Sequence, residues 1–237
     1  GLYDNAELIS RSLAGIRKNG LVKRLESSFY AFQISLNNFC QANQNMIDMF
    51  NRDKVFIAPD LDINNLLDAG LSDEEIEEKL NAKAEDNPKN SIFKAEDFKP
   101  EYIEMLQKDQ AILEKLCSDW KNISDDDDSK FAKFNELLKH ELFKTDRNPE
   151  QKLVVFSESV DTVKYLERRI NRKDVLVISA ENRSKLFKTI RENFDANYKT
   201  KLNQYNVILT TDVLAEGVNL HRANVIVNYD TPWNSTR

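Results

Sequence analysis

Residues Lys152 to Ser179, KLVVFSESVDTVKYLERRINRKDVLVIS, decide the fold. Two short β-branched runs, Lys152 to Ser157 and Asp174 to Ser179, enclose a helical segment from Val160 to Ile170. Both runs are continuously apolar rather than alternating, so both faces of the sheet they join must be covered. A strand that reaches a parallel neighbour through a helix makes a right-handed crossover. The pattern repeats downstream, where a helical segment from Arg183 to Phe194 leads to the run NVILT, Asn206 to Thr210, and NVIVNY, Asn224 to Tyr229, gives a fourth strand. The expectation is an α/β fold, a parallel sheet with flanking helices.

Upstream of Pro149 the periodicity is helical. Val22, Leu25, Phe29, Phe32, Leu36, Phe39, Asn43, Met46 and Phe50 follow one another at spacings of three and four, with no Gly or Pro from Leu21 to Phe50, which predicts one long amphipathic helix. Ile103, Leu106, Gln110, Leu113, Cys117 and Trp120 form a second seam, and Phe131 to Leu142 a shorter third. Packed on each other in antiparallel fashion, the three seams make a mostly α-helical subdomain ahead of the sheet; an intermolecular coiled coil is the alternative. Between them, residues 60 to 100 are acidic, are interrupted by Pro88 and Pro100, and read as a small helix with a loop.

The 237 residues are 41% hydrophobic and 31% charged, which excludes collagen-like and largely disordered chains. No run of about 18 apolar residues and no signal peptide is visible, which points to a cytoplasmic protein without a membrane span. The methionines are Met46, Met49 and Met105, so the chain reads as an excised piece or a processed product. Cys40 and Cys117 sit in helical patterns without metal-ligand spacing and are expected to be buried and reduced. The net charge of −6 conceals an uneven distribution: residues 1–59 carry +2, residues 60–130 carry −12 and residues 131–237 carry +4. An acidic chain can therefore still present a basic surface in its last part.

Ligands of open parallel sheets bind beyond the carboxyl ends of the strands. Those ends are polar in all four cases: Ser157-Glu158, Ala180-Glu181-Asn182-Arg183, Thr211-Asp212 and Asp230-Thr231. Asn182, Arg183, Ser184 and Lys185 stand at a helix start, where backbone N–H groups and the helix dipole favour a phosphate. None of the five glycines lies in a phosphate loop or a dinucleotide-binding turn, so a primary phosphate cradle is not in this chain. Asp73-Glu74-Glu75-Ile76 imitates an acidic metal box, yet Ser72 with Glu75 three residues on is a helix capping box. Asp125 to Asp128 reads as a solvated loop ahead of the next helix.

The stretch Val207 to Arg237, VILTTDVLAEGVNLHRANVIVNYDTPWNSTR, resembles motif V and its continuation in the second RecA-like lobe of superfamily 2 helicases, the Swi/Snf-like DNA translocases above all. The residues that carry the resemblance are Thr211-Asp212, Glu216-Gly217-Val218-Asn219-Leu220 and Tyr229-Asp230-Thr231-Pro232-Trp233-Asn234. QKLVVFSESVDTVKYLERRI is similar to motif IV, and Lys23-Arg24-Leu25-Glu26-Ser27-Ser28 with Ala31-Phe32 resembles the helical segment that joins the two lobes. The resemblance implies three parts: residues 1–59 joining the lobes, an acidic helical insertion over 60–130, and the second lobe over 131–237, ending before motif VI.

It further implies that Ser157, Asn182, Arg183, Thr210 and Thr211 face the nucleic-acid backbone, DNA or else RNA, while Glu216, Gly217 and Asn219 face a nucleotide. ATP and Mg2+ would be held mainly by a first RecA-like lobe, the principal partner, and no residue of this chain is assigned a catalytic or metal-binding role. A stand-alone α/β interaction module without ATPase activity is the other reading of the same residues.

Overall fold

The computed structural model describes residues 20–58, 61–84, 91–214 and 218–231. In chain order its elements are α1 (20–27), α2 (Phe29–Asn51), β1 (Val55–Ile57), α3 (Ile63–Asp68), α4 (Asp73–Ala84), β2 (Ser91–Phe93), α5 (Pro100–Trp120), α6 (Ser129–His140), β3 (Leu153–Phe156), α7 (Val160–Arg169), β4 (Val175–Ile178), α8 (Arg183–Phe194), β5 (Val207–Thr210) and β6 (Val225–Asn228). Two compact units result: the described residues up to Ser35 with those from Ile123 onward, and Leu36–Asn122.

The first unit is built on a four-stranded, all-parallel sheet of order β4-β5-β3-β6. Leu153 and Val155 of β3, with Val207 and Leu209 of β5, face α6 and α7 through Phe131, Phe134, Leu138, Val163, Tyr165 and Leu166. Val154 and Ile208 point the other way and join Leu176 and Ile178 of β4 in packing against Ile190 and Phe194 of α8. Both faces are thus covered, as continuous apolar strands require. At roughly 25 cal/mol per Å2 of apolar surface removed from water, these interlocked faces are the main stabilising contribution to the unit.

Three expectations need correction here. The third seam does not join a helical assembly, because Phe131, Phe134 and Leu138 of α6 are part of the core on one face of the sheet. The predicted single helix over 21–50 is interrupted at Ser28. The Ser28 hydroxyl accepts the Ala31 amide and so caps α2, the bond that favours serine at a helix start. Val22 and Leu25 of the seam are exposed. The acid run is not simply solvated either: Asp128 is buried and caps α6 through the Phe131 amide, while Asp125 and Asp126 pair with Arg168 and Arg169.

In the second unit, α2 and α5 run antiparallel, as their seams predicted. Cys40 and Asn43 meet Gln110, Asn43 also reaches the Leu106 carbonyl, and Phe50 lies against Tyr102. Gln110 is the buried residue of α5, and its amide is matched by Asn43, Cys40 and Glu114. Cys40 and Cys117 are half-buried rather than buried.

Residues 60–100 hold more than the expected helix and loop: α3, α4 and β2, which pairs antiparallel with β1. Strands of three residues are too short for periodicity to reveal. The Ser72–Glu75 capping box forms as expected, with Ser72 N–H donating to Glu75 at 2.8 Å and Glu75 N–H to Ser72 Oγ at 3.3 Å. Among the described residues no helix is long and apolar enough to cross a membrane.

Lys152 enters β3 fully buried, its ammonium bonded to the Tyr205 carbonyl at 2.6 Å and to Asn206 Oδ1 at 2.9 Å. Burial, with Arg222 nearby, lowers its pKa to about 8. The unfolded chain, in which lysine keeps its ordinary value near 10.4, then binds more protons between about pH 8 and 10, so stability rises with pH across that window. Denaturant unfolding at pH 7.5 and 10 should show a gain of about 2 kcal/mol for the unsubstituted chain relative to Lys152→Met, and parallel pH profiles for the two would refute the assignment.

Candidate nucleic-acid interface

Register places the four strand ends side by side: Phe156 pairs with Thr210 on one side and with Asn228 on the other, and Thr210 pairs with Ile178. At a spacing of about 4.8 Å between strands, the row from β4 to β6 spans about 14 Å. Whatever follows each strand therefore lies along one edge.

At the β4 end, the Asn182 side chain turns back onto the strand, its Oδ1 accepting the Ser179 amide at 2.8 Å and its Nδ2 donating to the Val177 carbonyl at 3.1 Å. It makes no cap bond to α8. The side chain expected to touch a phosphate is thus committed to the strand end, and what Asn182 gives the edge is the position of the α8 start. Arg183 there is half-buried, and Ser184 and Lys185 are exposed.

At the β5 end, Thr210 is completely buried and its hydroxyl donates to the carbonyls of Ile178 and Thr211. The expectation that it meets a strand directly is corrected: it ties β5 to β4. Thr211 is half-buried at the tip. Asp212 opens a single turn, Asp212–Leu214, that is anchored by buried Leu214. Glu216 and Gly217 lie outside the described residues, and Asn219 is exposed.

At the opposite edge of the sheet, where the strands begin, Arg222 is buried and holds three segments together. It donates to the carbonyls of Asn193 and Leu202 and to Asn203 Oδ1, and pairs with Glu150. The residues that lead into β6 are thereby fixed to the end of α8 and to the segments that lead into β3 and β5. His221 is more exposed and stands 3.9 Å from Asp195.

The β3 and β6 ends form a network in which sequence reasoning gave Asp230 no role. The Asp230 Oδ2 atom accepts from Ser157 Oγ at 2.6 Å, from the Glu158 amide at 2.9 Å and from Ser27 Oγ at 2.9 Å, while Oδ1 accepts from Lys130 Nζ at 2.9 Å. Ser157 is buried, so its hydroxyl serves this carboxylate and not an external phosphate, a second correction. Burial alone would push the Asp230 carboxyl up; the bonds from Ser157 and Lys130, the Lys130 charge and the Glu158 amide outweigh it and hold it below the usual carboxylate range.

Lys130 spends its three protons on Asp230 and on the carbonyls of Glu26 and Ser27. Those carbonyls close α1, where a cation suits the helix dipole. The ammonium also lies 4.2 Å from the centre of the Tyr229 ring. Since Ser27 gives its proton to Asp230, it accepts from Thr162, 2.6 Å away, and Thr162 accepts from Ser28, 2.9 Å away. One directed chain of hydroxyls runs from Ser28 to Asp230. No periodicity announces these contacts; the only signal is that Ser27 and Ser28 fall in the segment whose resemblance to a lobe-joining helix was already apparent.

Comparison with known proteins bears on the sheet unit. Residues 129–237 match the family model of the helicase conserved C-terminal domain. A probable ATP-dependent RNA helicase, ddx51, of Dictyostelium discoideum is 30% identical over 105 residues, a stretch that covers 42% of this chain and 18% of that protein. The chain thus spans under a fifth of the length of the curated relative it matches. With a parallel four-stranded sheet sandwiched between helices, these matches support a RecA-like, superfamily 2 helicase C-terminal lobe in the last part of the chain.

Proposed function

We propose that the chain supplies the second motor lobe of an ATP-dependent helicase or translocase and grips the sugar-phosphate backbone along the carboxyl edge of its sheet. The observation that carries this reading is the alignment of the α8 start and the Thr211 tip on one edge, with Asn182 tying the first to β4 and the Thr210 hydroxyl tying β5 to β4. A helix start without a side-chain cap offers backbone N–H groups to a phosphate, and Lys185 and Arg183 add charge. The Thr211 hydroxyl and amide suit a second phosphate. Such contacts position a strand without reading bases.

In this reading residues 1–59 join the motor lobes, residues 60–130 are an insertion, and Glu216, Gly217 and Asn219 face the nucleotide. Among the described residues no group of three or more His, Cys, Asp or Glu side chains stands together as a metal site requires. In this reading Mg2+ and the ATP phosphates are held mainly by a first lobe that carries a phosphate loop, and hydrolysis belongs to the assembled pair.

Two tracks compete. Tyr229-Asp230-Thr231-Pro232-Trp233-Asn234, with its Swi/Snf-like pattern, favours DNA, whereas the similarity to a protein named as an RNA helicase favours RNA. Phosphate contacts serve both, so fluorescence anisotropy with labelled oligothymidylate and oligouridylate of about 20 nucleotides separates them.

Binding by this chain should be weak, with a log–log salt slope of about −1.4 from two phosphate contacts on a single strand. Lys185→Ala should make that slope shallower by about 1, and Thr211→Val should weaken binding at every salt concentration. Tight, salt-insensitive binding, or no effect of either substitution, would sink the interface. A coupled phosphate-release assay on the 237-residue chain should show no ATP hydrolysis above background, with or without oligonucleotide; robust turnover would place the complete catalytic machinery within these residues.

A further inference from the structure

The Asp230 carboxylate, just beyond β6, gathers four donors from three parts of the first unit: the end of α1 through Ser27, the start of α6 through Lys130, and the β3 tip through the Ser157 hydroxyl and the Glu158 amide. We propose that Asp230 is the positioning residue of the strand-gripping edge, locking the β3 tip and the junction of α1 and α2 into one piece without touching the strand itself. The inference rests on reading that edge as a phosphate-binding interface, and it assigns a role to a residue that this reading leaves without one.

The chemistry points away from a direct contact. A carboxylate at the edge repels a phosphate, and only 8% of the Asp230 side chain is exposed. What it controls is orientation. Two N–H or O–H groups of the β3 tip converge on one oxygen atom, fixing the turn that leads into α7. The same atom receives Ser27, the last link of the hydroxyl chain from Ser28 and Thr162. Without the carboxylate, four donors would point at one space, the arrangement of an anion-binding nest. Asp230 is the anion built into that nest.

The sheet does not need this cluster to stand, since apolar side chains pack both its faces. The cluster lies instead beside an open cavity lined by Lys23 and Arg24 of α1 together with Glu158 and Thr231. Fixing the end of α1 therefore also fixes two cationic side chains beside the strand tips.

Asp230→Gly removes the carboxylate and leaves room for a small anion. In the 237-residue chain this substitution should raise the exchange rate of the Glu158 amide about tenfold and weaken oligothymidylate binding about fivefold. Acetate should restore both, while chloride at matched ionic strength should not, and neither salt should distinguish itself on the unsubstituted chain. Leu138→Ala serves as the control, because it opens the core near the far end of α6, about 12 Å along the helix from Lys130, and removes no Asp230 donor.

If Asp230→Gly does not fold, Asp230→Asn keeps the shape but turns an amide N–H toward these donors, and it should shift both readouts in the same direction. Unchanged exchange at Glu158, a loss that acetate fails to return, or an equal loss in Leu138→Ala would each overturn the proposal. Should the unsubstituted chain bind no oligonucleotide, the functional reading fails, and the clamp stands or falls on Glu158 exchange alone.

Discussion

The arrangement of this protein follows from having to bury both faces of a parallel sheet. Strands such as Leu153–Phe156 and Val207–Thr210 have no polar face to offer water, so helices must cover each side. Helices can connect parallel strands only by returning to the same end each time, and this brings all four carboxyl ends to one edge. The edge is thus a consequence of hydrophobic burial, and its chemistry is decided by whichever polar residues terminate the strands.

Those residues divide their work. Asn182, Thr210 and Ser157 turn inward and satisfy backbone or carboxylate groups of the lobe itself. Buried polar atoms left without partners cost about 1–3 kcal/mol each, so a tip that closes apolar strands has to spend some of its side chains internally. The neighbouring residues, Arg183, Ser184, Lys185 and Thr211, stand farther out. A polar strand end in the sequence is therefore two things in the structure: an inner residue that closes the sheet and an outer one that can meet a ligand.

The elements of the sheet unit were legible because each has a strong local period. The helix expected over Arg183 to Phe194 is α8 with the same bounds, and the four strands fall within the four β-branched runs. The α2–α5 seam was legible for the same reason. The partner of α6 was not, because Phe131, Phe134 and Leu138 make an apolar stripe that fits a helix or a sheet face equally well. The Asp230 cluster was beyond reach for a different reason: its donors lie 73, 100 and 203 residues away, and serine and lysine are ordinary surface residues wherever they occur. Polar constellations assembled by tertiary structure leave no trace in the spacing of one chain.

In the proposed motor reading, a weak grip suits motion. Residues 131–237 carry only +4, against −12 in the stretch before them, so long-range attraction toward a polyanion is modest. A lobe that held a strand by many desolvated cations would release it slowly, since affinity differences within one interface fall mostly on dissociation. The two proposed phosphate contacts, at a helix start and a threonine tip, would give a hold that is blind to base identity and easily broken. Rigid bracing compensates for the small number: the Thr210 hydroxyl and the Asn182 side chain hold the ends of β4 and β5, and Asp230 does the same for those of β3 and β6. A few contacts set at fixed spacing can grip and let go as a group, and stepping along a uniform backbone requires that of one lobe.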